Sequence, residues 1–249
     1  MGFMHTEKFV CVDCEFTGLD PENDRIIEVA AAVFTFDQVL ETFESLVDPE
    51  CDIPHSSQLI HNISQDMVYG KPRIYEVLPA LLKLIDNHIL VGHGIGFDID
   101  IIDRAARAHS IPCKIQSLKQ LDTLRLARLY GESPINSLEK LREHFNIASE
   151  GAHRAMSDVV VNIEVFKHLT RSYNTTEQIF KILERPIKLK TMPLGKHKGR
   201  RFEEIPLEYL NWAARKDFDE DLLYSIRSEL KNRKTGKSFQ QASNPFSGL

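Results

Sequence analysis

No apolar stretch in this 249-residue chain approaches the roughly 20 residues that a membrane-spanning helix needs. The N-terminal MGFMHTEKF lacks a basic segment followed by an apolar core, so a secretory signal is not expected. Internal repeats are missing as well. Cysteine is scarce: Cys11, Cys14, Cys51 and Cys113 are the full set, too few for a disulfide framework. Cys11 and Cys14 have the C-x-x-C spacing of a metal pair, but no second pair follows. Three steps along a strand also place their sulfurs on opposite faces. These absences point to a cytoplasmic globular protein with no membrane partner. What is present agrees with that: 42% apolar and 27% charged residues, on a chain long enough for an α/β core plus a small extra module.

Charge is unevenly spread. Residues 1–180 carry 16 Lys+Arg against 27 Asp+Glu, a balance of −11, whereas residues 181–249 carry 15 against 9, a balance of +6. An asymmetry of this kind suggests an anionic partner for the C-terminal part. From Lys181 to Arg201 there are eight basic residues and one acid, Glu184.

The apolar periodicity orders the chain. FVCVDCE (9–15), RIIEVAAAVF (within 25–36) and LETFESLVD (40–48) read as strands, separated by the turn-rich GLDPEND and FDQ, and would form an antiparallel meander. SSQLIHNISQDMV begins with serines able to cap one short helix. IYEVLPALLKLIDNH, FDIDIIDRAARAH, INSLEKLREHFNI and MSDVVVNIEVFKHL have helical spacing. ILVGH (89–93) is a compact strand, and an extended segment near Ser117–Asp122 leads into the helix TLRLARLY. The expected fold is α/β, a mixed sheet flanked by helices.

Beyond Pro186 the pattern changes. IKLKTMPLGKHKGRRFEEIP suggests two short strands joined by a glycine-marked basic loop, followed by the helices LEYLNWAARK and FDEDLLYSIRSELKNR. The expected division is a main domain over 1–180, a small α+β module over 186–233 and a disordered tail over 234–249. Tyr209 and Trp212, at i and i+3 of a helix, read as core of that module rather than as base-stacking residues.

Chemistry collects at three places. Asp13 and Glu15 close an otherwise apolar strand. At i and i+2 they share a face, with Cα atoms roughly 7 Å apart. Either they are two solvated acids at a strand end, or they oppose each other's ionisation until one takes a proton or a cation sits between them. Asp98 follows the strand ILVGH and GHGIGF at the start of a helix. Ligands of open α/β sheets gather at that edge, although taken alone Asp98 reads more readily as an ordinary carboxylate favoured by the helix dipole. His153 and Asp158 are five residues apart, about 140° around a helix, so one face cannot carry both. His153 in a loop and Asp158 in an early helical turn could reach one point. A capping Ser157 with a surface histidine is the alternative.

Together, D-x-E at 13–15, F-D at 97–98 and H-x-A-x-x-D at 153–158 resemble the three exonuclease motifs of the DEDD superfamily, histidine branch. DCEFTGLDPENDRIIEVAAAVF is similar to its full first motif, and LIHNISQDMV to a segment between motifs. The likeness spans about residues 8–170. TMPLGKHKGRRFEEIPLEYLNWAAR is similar to the small module of exodeoxyribonuclease X-like members, which favours that subgroup over oligoribonuclease; the nuclease part is also similar to polymerase III epsilon-like proteins.

The resemblance implies a ribonuclease-H-like fold and hydrolysis of phosphodiester bonds from 3′ ends of DNA, releasing nucleoside monophosphates. Asp13, Glu15, Asp98 and Asp158 would hold two Mg2+ or Mn2+ ions, with Asp13 bridging and His153 as general base. Cys14, Phe16, Thr17, His93 and Phe97 would contact substrate. The partner would be DNA, single-stranded or frayed at its 3′ end. Lys188, Lys190, Lys196, Lys198, Arg200 and Arg201 would bind it in the C-terminal module. RNA ends, a polymerase catalytic subunit as partner, and an inactive nucleic-acid-binding module stand as the other readings. One departure matters: the family commonly has Asn where this chain has Gly94, which leaves support and substrate contact near the second motif open.

Overall fold

A computed structural model describes residues 3–20, 22–133, 135–148 and 154–242, without the side chains of 236–242. The chain divides into two compact units, Met1–Lys181 and Ile182–Leu249.

Unit 1 is built on a five-stranded sheet in the order β3-β2-β1-β4-β5. β1 (Phe9–Phe16) lies antiparallel to β2 (Ile26–Phe34), which pairs antiparallel with β3 (Val39–Leu46). β4 (Ile89–Gly92) is parallel to β1, and β5 (Gln120–Asp122) is parallel to β4. The meander, the parallel strands and the flanking helices all match the sequence expectation.

Strand parity decides what each face meets. Val10, Val12 and Cys14 of β1 point into a core shared with α3 (Ile74–Ile85) and α4 (Gly96–Ala108). Phe9 and Cys11 point the opposite way, toward α7 (Ala155–Thr170). There the Phe9 and Phe166 rings lie 5.1 Å apart, and Asn162 Nδ2 donates to Cys11 Sγ at 3.6 Å. Phe9, Phe34 and Phe166 are fully buried, each contributing about 1.5–3 kcal/mol of burial. The two sulfurs of the C-x-x-C spacing thus lie on opposite sides of the sheet, and all four cysteines are free.

Three local expectations need correction in unit 1. The single helix expected over SSQLIHNISQDMV is two, α1 (His55–His61) and α2 (Gln65–Val68). Asn62 adopts φ 57° and ends the first, a left-handed cap that asparagine tolerates, and Ser64 in extended geometry starts the second. The first also begins ahead of its serines, on Pro54. α5 (Thr123–Tyr130) follows β5 directly because Asp122 caps it, accepting from Leu124 N–H at 2.8 Å. α6 (Leu138–His144) is shorter than its periodic pattern, and α8 (Thr176–Leu183) crosses the unit boundary.

Unit 2 has its own core of Met192, Phe202, Ile205, Leu210, Ala213, Leu222 and Ile226, formed by α9 (Leu207–Ala213), α10 (Glu220–Ala242) and the preceding loop. The two expected strands reduce to one antiparallel bridge between Thr191 and Arg201. Pro193 lacks the N–H a ladder needs, and Gly195 and Gly199 at φ 72° and 82° turn the chain too tightly to extend it. Single helical turns at Gly195–His197 and Phe202–Glu204 take the strands' place. α10 continues past Lys234 to Ala242; residues 243–249 lie outside the described residues.

Candidate metal centre and active site

Asp13 and Glu15 share the face of β1 that carries Phe9 and Cys11, so they are directed to α7. Asp158 stands in the first turn of that helix. One carboxylate oxygen from each of Asp13, Glu15 and Asp158 lies within 4.8 Å of the other two. All three are partly buried.

Crowding and desolvation raise the affinity of Asp13 and Glu15 for protons. Burial, then the charges of Asp98, Asp158, Glu15 and Glu28, holds Asp13 well above the ordinary carboxylate range. Glu15 is pushed up to about 8, by burial first and then by Asp158, Glu28 and Asp98, with Arg154 opposing. The choice left open by spacing is therefore settled in favour of the close group: these acids share one small volume.

Asp98 stands outside the 4.8 Å triad and is placed by a different device. Pairing between β1 and β4 covers only Phe9–Cys11 and Ile89–Val91, so β1 runs on without that neighbour. Asp98, at the start of α4, accepts the Cys14 N–H at 3.1 Å. Burial raises its carboxyl to about 7 against the opposing effect of these backbone donors, and Asp98 in turn raises Asp13. His153 lies outside the described residues.

The expected substrate residues divide. Phe16 and Phe97 form an edge-to-face pair at 4.9 Å on the margin of the core. Cys14 is buried and reaches the site through its N–H, while burial pushes its thiol up. Thr17 is 3% exposed, with its hydroxyl spent inside the chain: it donates to Asp24 Oδ1 at 2.7 Å and accepts Arg25 N–H at 3.0 Å. Asp24 also accepts Asp20 N–H, and its carbonyl accepts from Arg104. Gly18 leaves room for that carboxylate: a Cβ would stand 2.5 Å from Asp24 Oδ2, so a larger residue would push Asp24 from its partners. Thr17 thus shapes the loop that follows Glu15.

His93 belongs to a polar network between β4, α5 and α7. Its Nδ1 is 3.0 Å from Thr123 Oγ1, which is also 3.1 Å from the Gly92 carbonyl and 2.7 Å from Asn162 Oδ1. Burial lowers the imidazole to about 4, against a hydrogen bond to the Asn136 carbonyl, so the ring is neutral near pH 7. Gly94 has φ 72° and donates to Asp122 Oδ1 at 2.9 Å. Asn and Gly are the residues that enter this backbone region most readily, so the glycine preserves the turn while omitting a side chain.

Glu28, fully buried in β2 opposite Glu15, was not among the sequence candidates. Arg154 grips it, Nε and Nη2 reaching Oε1 at 3.0 and 2.6 Å, and Ala155 N–H donates to Oε2 at 2.9 Å. Glu28 therefore anchors the start of α7, three residues before Asp158. Its signal was a lone acid inside the run IIEVAAAVF, because a buried carboxylate needs a partner. Asp122, Thr123 and Asn162 gave no comparable signal, since each becomes polar scaffolding only through contacts distant in sequence.

Lys188, Lys190, Lys196, Lys198, Arg200 and Arg201 are all exposed, the last within 3.3 Å of Glu203. Tyr209 packs against the unit 2 core as expected. Trp212 does not: it is 49% exposed, because α9 turns it outward from Leu210 and Ala213.

Oxygen donors this close suit a hard divalent cation, which would offset their repulsion. No helix among the described residues is long and apolar enough to cross a membrane.

The profile of a family described as Exonuclease matches residues 10–166. A second profile, of a family known only provisionally as a quorum-sensing-regulated virulence factor, matches residues 180–226. The DNA polymerase III subunit epsilon of Aquifex aeolicus is 33% identical over 159 residues, which is 64% of this chain and 78% of that protein. The DNA polymerase III PolC-type of Clostridium perfringens is 33% identical over 164 residues, 65% of this chain, so this match spans only 11% of the relative's length. A solved structure of exonuclease X in complex with 5′ overhanging duplex DNA matches with a TM-score of 0.57 at 23% identity, covering 70% of this chain and 98% of that one. That likeness places unit 1 in the ribonuclease-H-like fold.

Proposed function

This chain belongs to the exonuclease family, and on that premise we propose that it hydrolyses DNA phosphodiester bonds from the 3′ end, releasing nucleoside monophosphates. The observation that supports this most directly is the convergence of Asp13, Glu15 and Asp158 within 4.8 Å at the end of β1. Such a group has no structural use that would repay the mutual repulsion, whereas it suits a divalent cation held against a phosphate. Asp13, Glu15 and Asp158 would hold one Mg2+ or Mn2+, and Asp98, beside Cys14 N–H, would serve a second with Asp13. When bound, such ions neutralise charge on a phosphoryl group and make an adjacent water more acidic.

The chain's own groups supply the rest. His153 would accept the proton of the attacking water, a task matched to an imidazole whose reference pKa is near 6.5. The Phe16–Phe97 pair would flank the terminal base, and the Thr17–Asp24 loop would hold that wall in place. His93, a neutral ring tied to Thr123, would orient the turn at Gly94 rather than carry charge. In unit 2 the basic residues from Lys188 to Arg201 would add sequence-independent, salt-sensitive affinity for the DNA backbone.

Digestion of single-stranded DNA labelled at the 3′ or the 5′ end tests this. Mononucleotide release should require Mg2+ or Mn2+, remove the 3′ label first and be abolished in Asp13→Ala. Release of the 5′ label first, or activity unaffected by Asp13→Ala, would overturn it. The relatives are named for DNA polymerases, which favours DNA over RNA; matched DNA and RNA substrates compare the two. The same names support a second reading, that the chain proofreads alongside a polymerase, and co-purification with a polymerase catalytic chain would favour it.

A further inference from the structure

Trp212 is the only tryptophan in the chain and stands half-exposed at the surface of unit 2. A large aromatic ring left open has to be weighed against its neighbours. Tyr209, one helical turn earlier, has its ring 5.2 Å from Trp212 on one side and 4.5 Å from His197 on the other. His197 belongs to the loop that carries Lys196, Lys198, Arg200 and Arg201, all exposed. Gly195 opens that loop at φ 72°, with its backbone so close to Tyr209 that a Cβ would lie 2.9 Å from the hydroxyl. Tyr209 thus fastens the basic loop to the tryptophan. Lys216 adds a further cation, its ammonium 5.1 Å from the Trp212 ring centroid.

We infer that Trp212 is a base-stacking platform for single-stranded nucleic acid, with the loop from Lys196 to Arg201 and Lys216 engaging the phosphates on either side of the stacked base. A ring face takes any base because every base has a π-face, and the cations track the backbone without reading sequence. The Lys216 ammonium already rests against the ring, so an arriving base would exchange a weak exposed cation–π contact for stacking and release that ammonium to a phosphate. This rests on the reading of unit 2 as the module that adds DNA affinity, and it names the residue that meets the bases.

The lone tryptophan makes the test direct. The full chain, in EDTA so that no hydrolysis occurs, is titrated with oligo(dT), following both tryptophan fluorescence and the anisotropy of a labelled oligonucleotide. Saturable quenching with the same midpoint as the anisotropy change is expected. Trp212→Ala should weaken binding by roughly 5- to 150-fold, and Trp212→Phe should lose much less. An abasic oligonucleotide of equal length should bind with an unchanged salt slope but without quenching. If oligo(dT) binds with no fluorescence change, or Trp212→Ala and Trp212→Phe bind as the parent does, the platform is wrong while the affinity reading stands. If neither oligonucleotide binds in a salt-dependent way, the reading of unit 2 falls and takes the platform with it.

Discussion

Raising the pH of the metal-free protein from about 6 to about 8 should destabilise unit 1, and added divalent cation should cancel the loss. Glu15 moves from an ordinary 4.5 to about 8 on folding, chiefly through burial and then through Asp158, Glu28 and Asp98. Between those two values the folded chain holds a proton that the unfolded chain has released. Stability then falls as pH rises, by up to about 1.4 kcal/mol per pH unit for one group. The contribution is complete below about pH 4.5 and is lost by the time pH passes about 8. Over the upper two units Glu15 alone would remove about 2 kcal/mol, brought down to about 1–2 kcal/mol by the partial exposure of its side chain. Asp13 and Asp98 shift in the same direction and deepen the loss. At about 2–4 °C per kcal/mol for a domain of this size, the melting midpoint should drop by at least about 2–8 °C. Thermal unfolding by circular dichroism in EDTA measures it. Glu15→Gln should flatten the dependence, and Mg2+ should raise the midpoint more at pH 8 than at pH 6, because the cation binds the ionised carboxylates. A midpoint that holds or rises with pH in EDTA, with Glu15→Gln behaving as the parent, would refute the picture of crowded carboxyls.

Asp13→Asn should abolish hydrolysis and Mn2+ binding by calorimetry, yet melt higher than the parent in EDTA at pH 8, since it removes a carboxyl whose ionisation folding opposes. His153→Ala should cost rate by at least about a hundredfold while leaving Mn2+ affinity nearly unchanged, a split seen by comparing turnover with calorimetry. Arg154→Ala should destabilise by about 1–3 kcal/mol in denaturant titration and weaken Mn2+ binding, because it strands the buried Glu28 carboxylate that anchors the start of α7. Thr123→Val should cost about 1–3 kcal/mol by removing the single hydroxyl proton for which Asn162 Oδ1 at 2.7 Å and the Gly92 carbonyl at 3.1 Å compete, with the His93 imidazole resonances moving in NMR.

Much of unit 1 could be read before any coordinates. Short continuous apolar runs named β1 and β2, helical spacing named α3, α4 and α7, and the D-x-E, F-D and H-x-A-x-x-D motifs named the acids. The misreadings share a cause. Asn62 and Ser64 divided one expected helix because a single residue at positive φ outweighs the periodicity around it. The two strands of unit 2 failed because Pro193, Gly195 and Gly199 govern backbone geometry more strongly than the apolar residues between them. Trp212 was misjudged because i, i+3 spacing marks a shared face without saying which way that face turns.

The sequence by itself determined the type and order of the carboxylates, their attachment to a strand end and a helix start, and the opposite charge of the two halves, since these follow from residue identity and local period. Only the tertiary structure decided that Asp158 meets Asp13 and Glu15 while Asp98 stands apart at Cys14 N–H, and that Glu28 ties β2 to α7. Such meetings depend on strand register and on which face of the sheet each helix covers, and no local pattern encodes the contact between groups more than a hundred residues apart.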